Sequence, residues 1–544
     1  MSKNKKDTIN KSDKFINSIN IDEKYSKFYW VAIPLFTIIY FIYSYYSTGF
    51  YQDDEVGHFV TMVNFWNDPA SIFDNWNKPG WKILMAFPAL LGYNFVIFIN
   101  CLFAGLTIYL SIILANKLGL KNTFLIVFFL GAQYTFVLIS FRCYAEIFLS
   151  MIMLLICLLF INKKYKTVML LSGYIFLLRQ ETILIIIVLI IYFFYKKQYI
   201  PILFIAIFPI LLQIAGTIAH NNFMWMVKDI GMQSSIDFNK GTERDFFFYF
   251  KMYIFIVGPV TFAFLILGFF SLLRKKEQLK SIFFKYDIVY IVFGIYFLTQ
   301  CLLVWHGTNG GAQRYLVPLA PFASIFALIG FNNFFKKEYK LFNLSLLIIL
   351  SLFTLAITSK DYDNWMMTGR TEYLKFFIIL IITISFFVLN FLRNKQTQGF
   401  YFIIIILLSI VYLNQKLEPL KLSPNNLANK SAAVWITNSE YKDRKFFNNH
   451  STFLFYYIIN GGRVANRTTL KLITLKDAPL GSIFIWDSQY SNRTDFFNTD
   501  TKLEYLKNNS NFKLLKDFTA SDNRFYTAIF EKIENNDKQD ELPK

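Results

Sequence analysis

The sequence predicts a polytopic α-helical membrane protein, with about thirteen transmembrane helices and a small C-terminal extracytoplasmic α/β domain. Three observations carry this. Of 544 residues, 55% are hydrophobic and only 17% charged, more apolar surface than one soluble core can bury. The apolar residues fall into runs long enough to span a bilayer, and these runs stop after Leu413. A soluble enzyme, a nucleic-acid-binding protein and a disordered chain are thereby excluded. The net charge of +19 does not call for a polyanion, because Lys and Arg sit in short clusters between apolar runs, as the positive-inside rule requires.

In chain order, residues 1–27 are polar and lysine-rich and read as a cytoplasmic segment. The run 28–46 is too long for a secretory signal and lacks its small-residue cleavage site, so it reads as a retained first span. The first outer loop takes residues 47–93. Further spans are expected near 94–115, 123–140, 144–161, 167–180, 182–195, 199–218, 246–273, 286–305, 315–335, 341–358, 376–392 and 400–413, all within a transmembrane domain over 28–414. Residues 167–195 fit two short spans or one long helix.

Alternate connections carry Lys117 and Lys121; Lys163, Lys164 and Lys166; Lys196 and Lys197; Arg274, Lys275, Lys276, Lys280 and Lys285; Lys336, Lys337 and Lys340; Arg393 and Lys395. These belong in the cytoplasm. The intervening connections hold Asp53, Asp54, Glu55, Asp68, Asp74, Glu243, Asp245, Asp361 and Asp363. The unbroken alternation selects two spans over 167–195, and an odd number of spans places the C-terminus outside. Pro419 and Pro424 mark a linker, so residues 415–544 read as linker and outer domain: helices at 431–440 and 502–508, strands at 481–486, 513–518 and 525–531, and a frayed tail from Glu534. Cys101, Cys143, Cys157 and Cys301 lie in or beside apolar runs without metal-ligand spacing, so neither a disulfide framework nor a zinc site follows.

Chemistry-bearing residues concentrate on the outer side. The first loop holds Asp53, Asp54, Glu55 and His58 just after the first span, and continues with Trp66, Trp76, Trp81 and the Asn77-Lys78-Pro79-Gly80 segment. The tryptophans favour short interfacial helices over a solvated loop. Arg142 and Glu146 flank the turn between the third and fourth spans, and Arg179 with Glu181 interrupts an apolar stretch. Ionisable groups at such depth either pair locally to hold helices together or face a shared polar cavity. Arg314 and Tyr315 follow a glycine-rich turn and precede Pro318 and Pro321, which should kink that span. An arginine there can grip a phosphate bidentately or snorkel to the interface. The four histidines, His58, His220, His306 and His450, are scattered, and no metal site is expected among them.

Together these residues resemble the GT-C superfamily of polytopic glycosyltransferases, in its protein O-mannosyltransferase and lipid A aminoarabinose transferase branch. Asp54-Glu55 with His58-Phe59 is similar to the acidic signature of that branch's first outer loop, with Lys78-Pro79 downstream; Glu146 stands where its second acidic residue stands; Arg314-Tyr315-Leu316-Val317-Pro318 is similar to its late Arg-Tyr-x-x-Pro segment. Two departures stand out. Asp53 precedes the pair, leaving open which aspartate acts, and Gly80 replaces a second proline.

The resemblance implies a donor of one sugar on a polyprenyl phosphate and a protein, lipid or glycan hydroxyl as acceptor, met on the periplasmic face of a bacterial inner membrane. Asp54 is then the expected base, supported by Glu55 and Glu146. Asp53, His58, Lys78, Arg142, Arg179, Arg314 and Tyr315 are expected around the substrates, with Lys78 and Arg314 on the phosphate. No cofactor is required, although the oligosaccharyltransferase relatives leave room for a divalent metal on Asp53 and Asp54. An O-antigen polymerase or ligase would centre on Arg and His in a large late outer loop; a lipid-sugar transporter would show internal repeats, and none is visible.

Overall fold

The computed structural model describes residues 26–73, 78–234, 244–273, 287–334, 336–362, 367–392, 398–494 and 499–534. Asp74, Trp76 and Asn77 of the first outer loop, Glu243, Asp363, the basic residues of 274–285, Arg393 and Lys395, and both chain ends lie outside the described residues.

Each apolar run of the sequence is helical. Among the described residues, five helices are long and apolar enough to cross a membrane: Ser26–Tyr46, Tyr93–Lys117, Tyr199–His220, Ile288–Trp305 and Gln313–Phe334. A sixth candidate, Thr123–Gly131 with Tyr134–Ser140, is bent by 74°. The bend falls at buried Gln133, which is extended and sends its side-chain amide to the Phe129 and Ala320 carbonyls. The run 246–273, expected as one span, is also broken. Its helices Phe248–Val257 and Pro259–Leu273 meet at Gly258, whose φ of 80° suits glycine, and at a proline that cannot donate to the preceding turn. The other apolar helices have 10–17 residues. Several are short because a polar residue ends them: Tyr165–Leu178 stops where Arg179 turns extended, which also separates it from Ile183–Tyr195.

The helix Ala320–Phe334 is the centre of the bundle and almost wholly buried. It crosses Pro259–Leu273 so closely that a Cβ on Gly268 would strike the Phe326 carbonyl, and one on Gly330 the Phe264 carbonyl. Leu35, Ile38, Ile187, Ile191, Ile214 and Ile218 remain exposed on outer helices, the surface that lipid covers in such a bundle.

Beyond Lys416 the chain builds a five-stranded sheet in the order Arg467–Thr468, Phe446–Asn448, Ile483–Asp487, Tyr526–Lys532, Phe512–Thr519. The first three strands are parallel, and the last two join antiparallel, with Phe484 opposite Phe530 and Phe530 opposite Leu514. The helix expected over 431–440 begins earlier, at Pro424, because the Ser423 side chain caps it by accepting from the Asn426 amide at 3.2 Å. The linker is stitched to the first outer loop. Gly49 donates to the Leu420 carbonyl at 2.7 Å, Leu420 donates to Ser47 Oγ at 2.9 Å, and a side chain on Gly49 would meet the Lys421 carbonyl. Phe455 of helix Ser451–Ile459 then packs edge-on against Phe50, Phe59 and Tyr93. These contacts seat the sheet beside the helix Asp53–Asn64.

Candidate active site

Asp53, Asp54 and Glu55 form the first turn of Asp53–Asn64, where free backbone amides favour carboxylates. A helix turns about 100° per residue, so neighbours point to different partners. Asp53 Oδ2 accepts from Tyr490 Oη at 2.7 Å and from Gln489 Nε2 at 3.2 Å, both on the C-terminal sheet unit. Asp54 Oδ2 accepts from Arg314 Nη2 at 2.6 Å, and its side chain stays 39% exposed. Glu55 is fully buried, accepting from Tyr93 Oη at 2.6 Å and the Tyr51 amide at 2.9 Å, with Arg142 Nη1 at 3.8 Å.

The ion pairs differ from those expected within the sequence segments. Arg142 does not pair with Glu146. It faces Glu55 and donates to the Ser47 carbonyl and hydroxyl and the Gly49 carbonyl. Glu55 and Arg142 thus clamp the first loop to the bundle. Glu146, also fully buried, pairs with Arg179 and lies 3.8 Å from Arg314 Nη1; Arg179 reaches on to Glu181 at 2.7 Å. Two arginines and two carboxylates, Asp54 and Glu146, therefore make one cluster drawn from four separate elements.

Arg314 is 3% exposed, yet among the described residues only one of its nitrogens finds a hydrogen-bond acceptor; Nε and Nη1 are buried without one there, as is Oε2 of Glu146 without a donor. The guanidinium lies 4.4 Å from the Tyr144 ring and 5.2 Å from the Tyr315 ring, and Arg179 lies 4.7 Å from Tyr315. Aromatic faces stabilise these cations without using their N–H groups. The arginine fork is consequently held in place with donors to spare.

Lys78 caps helix Pro79–Leu90, and its ammonium reaches His58 Nε2 at 3.3 Å. Burial pushes the Lys78 pKa down to about 7, against the upward pull of Glu146 and Asp54. Burial holds His58 well below its ordinary value, and Lys78, Lys82 and Arg314 add to it, so the imidazole is neutral and can accept. Burial raises the Asp54 carboxyl, but Arg314 and then Lys78 outweigh it and keep the group below the usual range. Gly80 also finds its reason here: a Cβ would meet Leu177 Cβ at 2.8 Å, and its carbonyl accepts from Tyr174 Oη at 2.8 Å. Helix Pro79–Leu90 thereby seats against Tyr165–Leu178 and fixes where Lys78 emerges.

Several residues of the site carried no signal in the sequence. Gln300 donates to Glu181 at 3.2 Å and accepts from Asn309 at 2.9 Å, while Asn309 accepts from the Gly311 amide at 2.8 Å. This chain of bonds runs from the Glu146–Arg179 pair to the turn just before Arg314. Tyr144 was legible only as the neighbour of two noted residues, and Gln489 and Tyr490 sit far along the chain in another unit.

A divalent metal on Asp53 and Asp54 does not fit this geometry. Their carboxylates go to different partners, and among the described residues no three His, Cys, Asp or Glu side chains gather as ligands.

No family model matches the sequence, and no curated protein matches it. A solved structure does, that of ArnT from Cupriavidus metallidurans in the apo state, with a TM-score of 0.56 and 10% identity over 94% of this chain and 98% of that one. The chain has the ArnT fold. At that identity the likeness is one of architecture, and it spans both the helical bundle and the C-terminal sheet unit. ArnT shares this architecture almost end to end.

Proposed function

We propose that this protein is a membrane glycosyltransferase of GT-C type that moves one sugar from a polyprenyl-phosphate donor to an acceptor hydroxyl on the extracytoplasmic face. The observation that carries the reading is the Arg314–Asp54 contact at 2.6 Å, beside a buried second carboxylate and a second arginine. Arg314, with its spare donors, and Lys78 take the carrier phosphate; Arg179 and Glu146 fix the position of Arg314 and of the Tyr315 ring. An incoming phosphate takes those spare donors, and its negative charge offsets the arginine's pull on the Asp54 carboxylate. Burial, no longer offset by that arginine, then raises the Asp54 pKa toward the range useful to a base.

Asp54 takes the proton of the acceptor hydroxyl as its oxygen attacks the anomeric carbon. The bond from that carbon to the phosphate oxygen breaks, the electron pair leaves with the polyprenyl phosphate, and Arg314 and Lys78 meet the growing charge. A single displacement inverts the anomeric centre. Tyr490 and Gln489 hold Asp53 as a neighbour of the base rather than the base itself.

The test is purified protein in bilayers with radiolabelled polyprenyl-phosphate sugars and a mixed pool of envelope acceptors. The expected result is label in an acceptor with wild-type protein, and transfer at least about a hundredfold slower with Asp54→Asn. Label transfer that is equal in both would remove the assignment of Asp54, and no transfer from any such donor would remove the donor class.

A further inference from the structure

Four helices of the candidate site run away from it and bring their other ends together. Helix Tyr93–Lys117 begins at the tyrosine that binds Glu55; Glu146–Ile161 begins at the paired glutamate; the helix after Glu181 ends at Tyr195; Ile288–Trp305 carries Gln300. At 1.5 Å per residue, the first two alone put their far ends roughly 24–37 Å from the site. There they surround a cavity of about 420 Å³. That is within the size range of small-molecule sites, about 300–1,000 Å³.

Its charge is one-sided. Lys117, Lys163 and Lys196 line it, each from a different helix end, together with Tyr165, Tyr192 and Gln198. No carboxylate is among the described residues that line it. The Lys196 ammonium stands 5.7 Å from the Tyr192 ring, and Phe160 and Ile288 supply apolar wall. Lysines at helix C-termini also offset the helix dipole, which explains their presence one by one. It does not explain why three converge on one cavity with apolar walls at the far ends of these apolar helices.

We propose that this cavity binds the phosphate headgroup of an anionic glycerophospholipid from the leaflet opposite the candidate active site. The three ammonium groups and the tyrosine hydroxyls supply donors for a phosphodiester, and the apolar wall leads its acyl chains back to the bundle surface. Charge alone selects anionic over zwitterionic lipid, since a choline headgroup would bring a cation toward three lysines. The site is independent of the transferase reading and stands or falls without it.

The test uses full-length protein in neutral detergent, titrated with phosphatidylglycerol and read by native mass spectrometry and thermal unfolding. One phosphatidylglycerol per chain should bind in preference to phosphatidylcholine and raise the unfolding temperature. Lys196→Gln should weaken binding about fivefold, and the triple change Lys117→Gln, Lys163→Gln, Lys196→Gln on the order of a hundredfold, from about 1 kcal/mol per lysine. The control triple Lys164→Gln, Lys166→Gln, Lys197→Gln removes equal charge from sequence neighbours of Lys163 and Lys196 outside the lining, and should leave binding within about twofold. Equal losses in the two triples would mean general surface charge and overturn the proposal. So would equal binding of phosphatidylcholine. An equal thermal shift with inorganic phosphate would make it a free-phosphate site and overturn the lipid assignment; if the triple variant does not fold, the wild-type lipid comparison and Lys196→Gln still decide.

Discussion

Arg314 donates to Asp54 at 2.6 Å across 260 positions of sequence, so the residue proposed to hold the carrier phosphate rests on the residue proposed to take the acceptor proton. Nη2 holds Asp54 while Nε and Nη1 remain for the phosphate, and the negative charge of a bound phosphate weakens the arginine's hold on the carboxylate, which couples donor binding to activation of the base.

That coupling makes Arg314 the most telling position. Arg314→Ala should weaken donor binding by about thirtyfold or more, since truncating one partner of a buried charged contact costs about 2–5 kcal/mol. Arg314→Lys should restore only part, because a point charge lacks the fork. Donor affinity by calorimetry and turnover measured on the same preparations check both. Unchanged affinity in Arg314→Ala would leave the arginine a role in folding alone.

Asp54→Asn and Asp53→Asn separate the base from its neighbour. Loss of a general base costs about 10²–10⁴-fold in rate, so Asp54→Asn should fall in that range with donor affinity retained or improved. Asp53 is already engaged by Tyr490 and Gln489, and Asp53→Asn should cost less than about tenfold. Tyr490→Phe, which deletes the hydrogen bond to Asp53, should also cost less than about tenfold. A larger rate loss in Asp53→Asn than in Asp54→Asn would reverse the assignment.

What the sequence disclosed and what it withheld follow from range. The helical runs were legible because hydropathy is local, as were the strands Ile483–Asp487 and Tyr526–Lys532, each found within two residues. The strands Phe446–Asn448 and Arg467–Thr468 were missed: three and two residues are too few to show a period. Glu146, Arg179 and Arg314 could be named in advance because a charge among apolar residues is conspicuous, and Asp54 because it stands in a run of three carboxylates just after the first span. Their pairing could not be read. Arg142 stands four positions from Glu146 yet faces Glu55, a choice made by the turn of helix Asp53–Asn64 and visible only in three dimensions.

The clamp makes an opposite prediction to the cluster. Glu55→Gln leaves Arg142 buried without its carboxylate and weakens the bonds from Tyr93 and the Tyr51 amide, so it should cost about 3–5 kcal/mol of stability. Protein that survives purification should retain turnover within a few-fold of wild type. Denaturant unfolding beside the transfer assay distinguishes the two; intact stability with lost activity would return Glu55 to the reacting groups.

Orientation is the next expectation. From the alternation of lysine clusters we expect the C-terminal sheet unit, whose Tyr490 meets Asp53, outside the cytoplasm. Alkaline phosphatase fused after Lys544 should be active, and a fluorescent protein fused there should stay dark. The reverse pattern would require an even number of spans.

The Lys78 pKa of about 7 gives the last prediction its sign. Lys78 must carry its proton to meet a phosphate, so donor affinity should be highest below pH 7 and decline as pH rises through that value in the free protein. An arriving phosphate raises that pKa in the complex, so the decline continues, by at most about tenfold per pH unit, until pH reaches the raised value. Lys78→Arg should flatten the profile between pH 6 and 8, about the working range of the assay, since a guanidinium stays charged there. Lys78→Met should lie low at every pH. Stability runs the other way: the unfolded chain holds this proton up to the ordinary value of 10.5 while the folded one releases it near 7. Between those values the unfolded state binds more protons, so this group's contribution to stability rises with pH across the window. Binding that weakens while thermal stability rises over the same pH range is the signature of a buried lysine poised for an anion. If donor affinity in wild type and Lys78→Arg follows one common pH profile, Lys78 is not the phosphate contact.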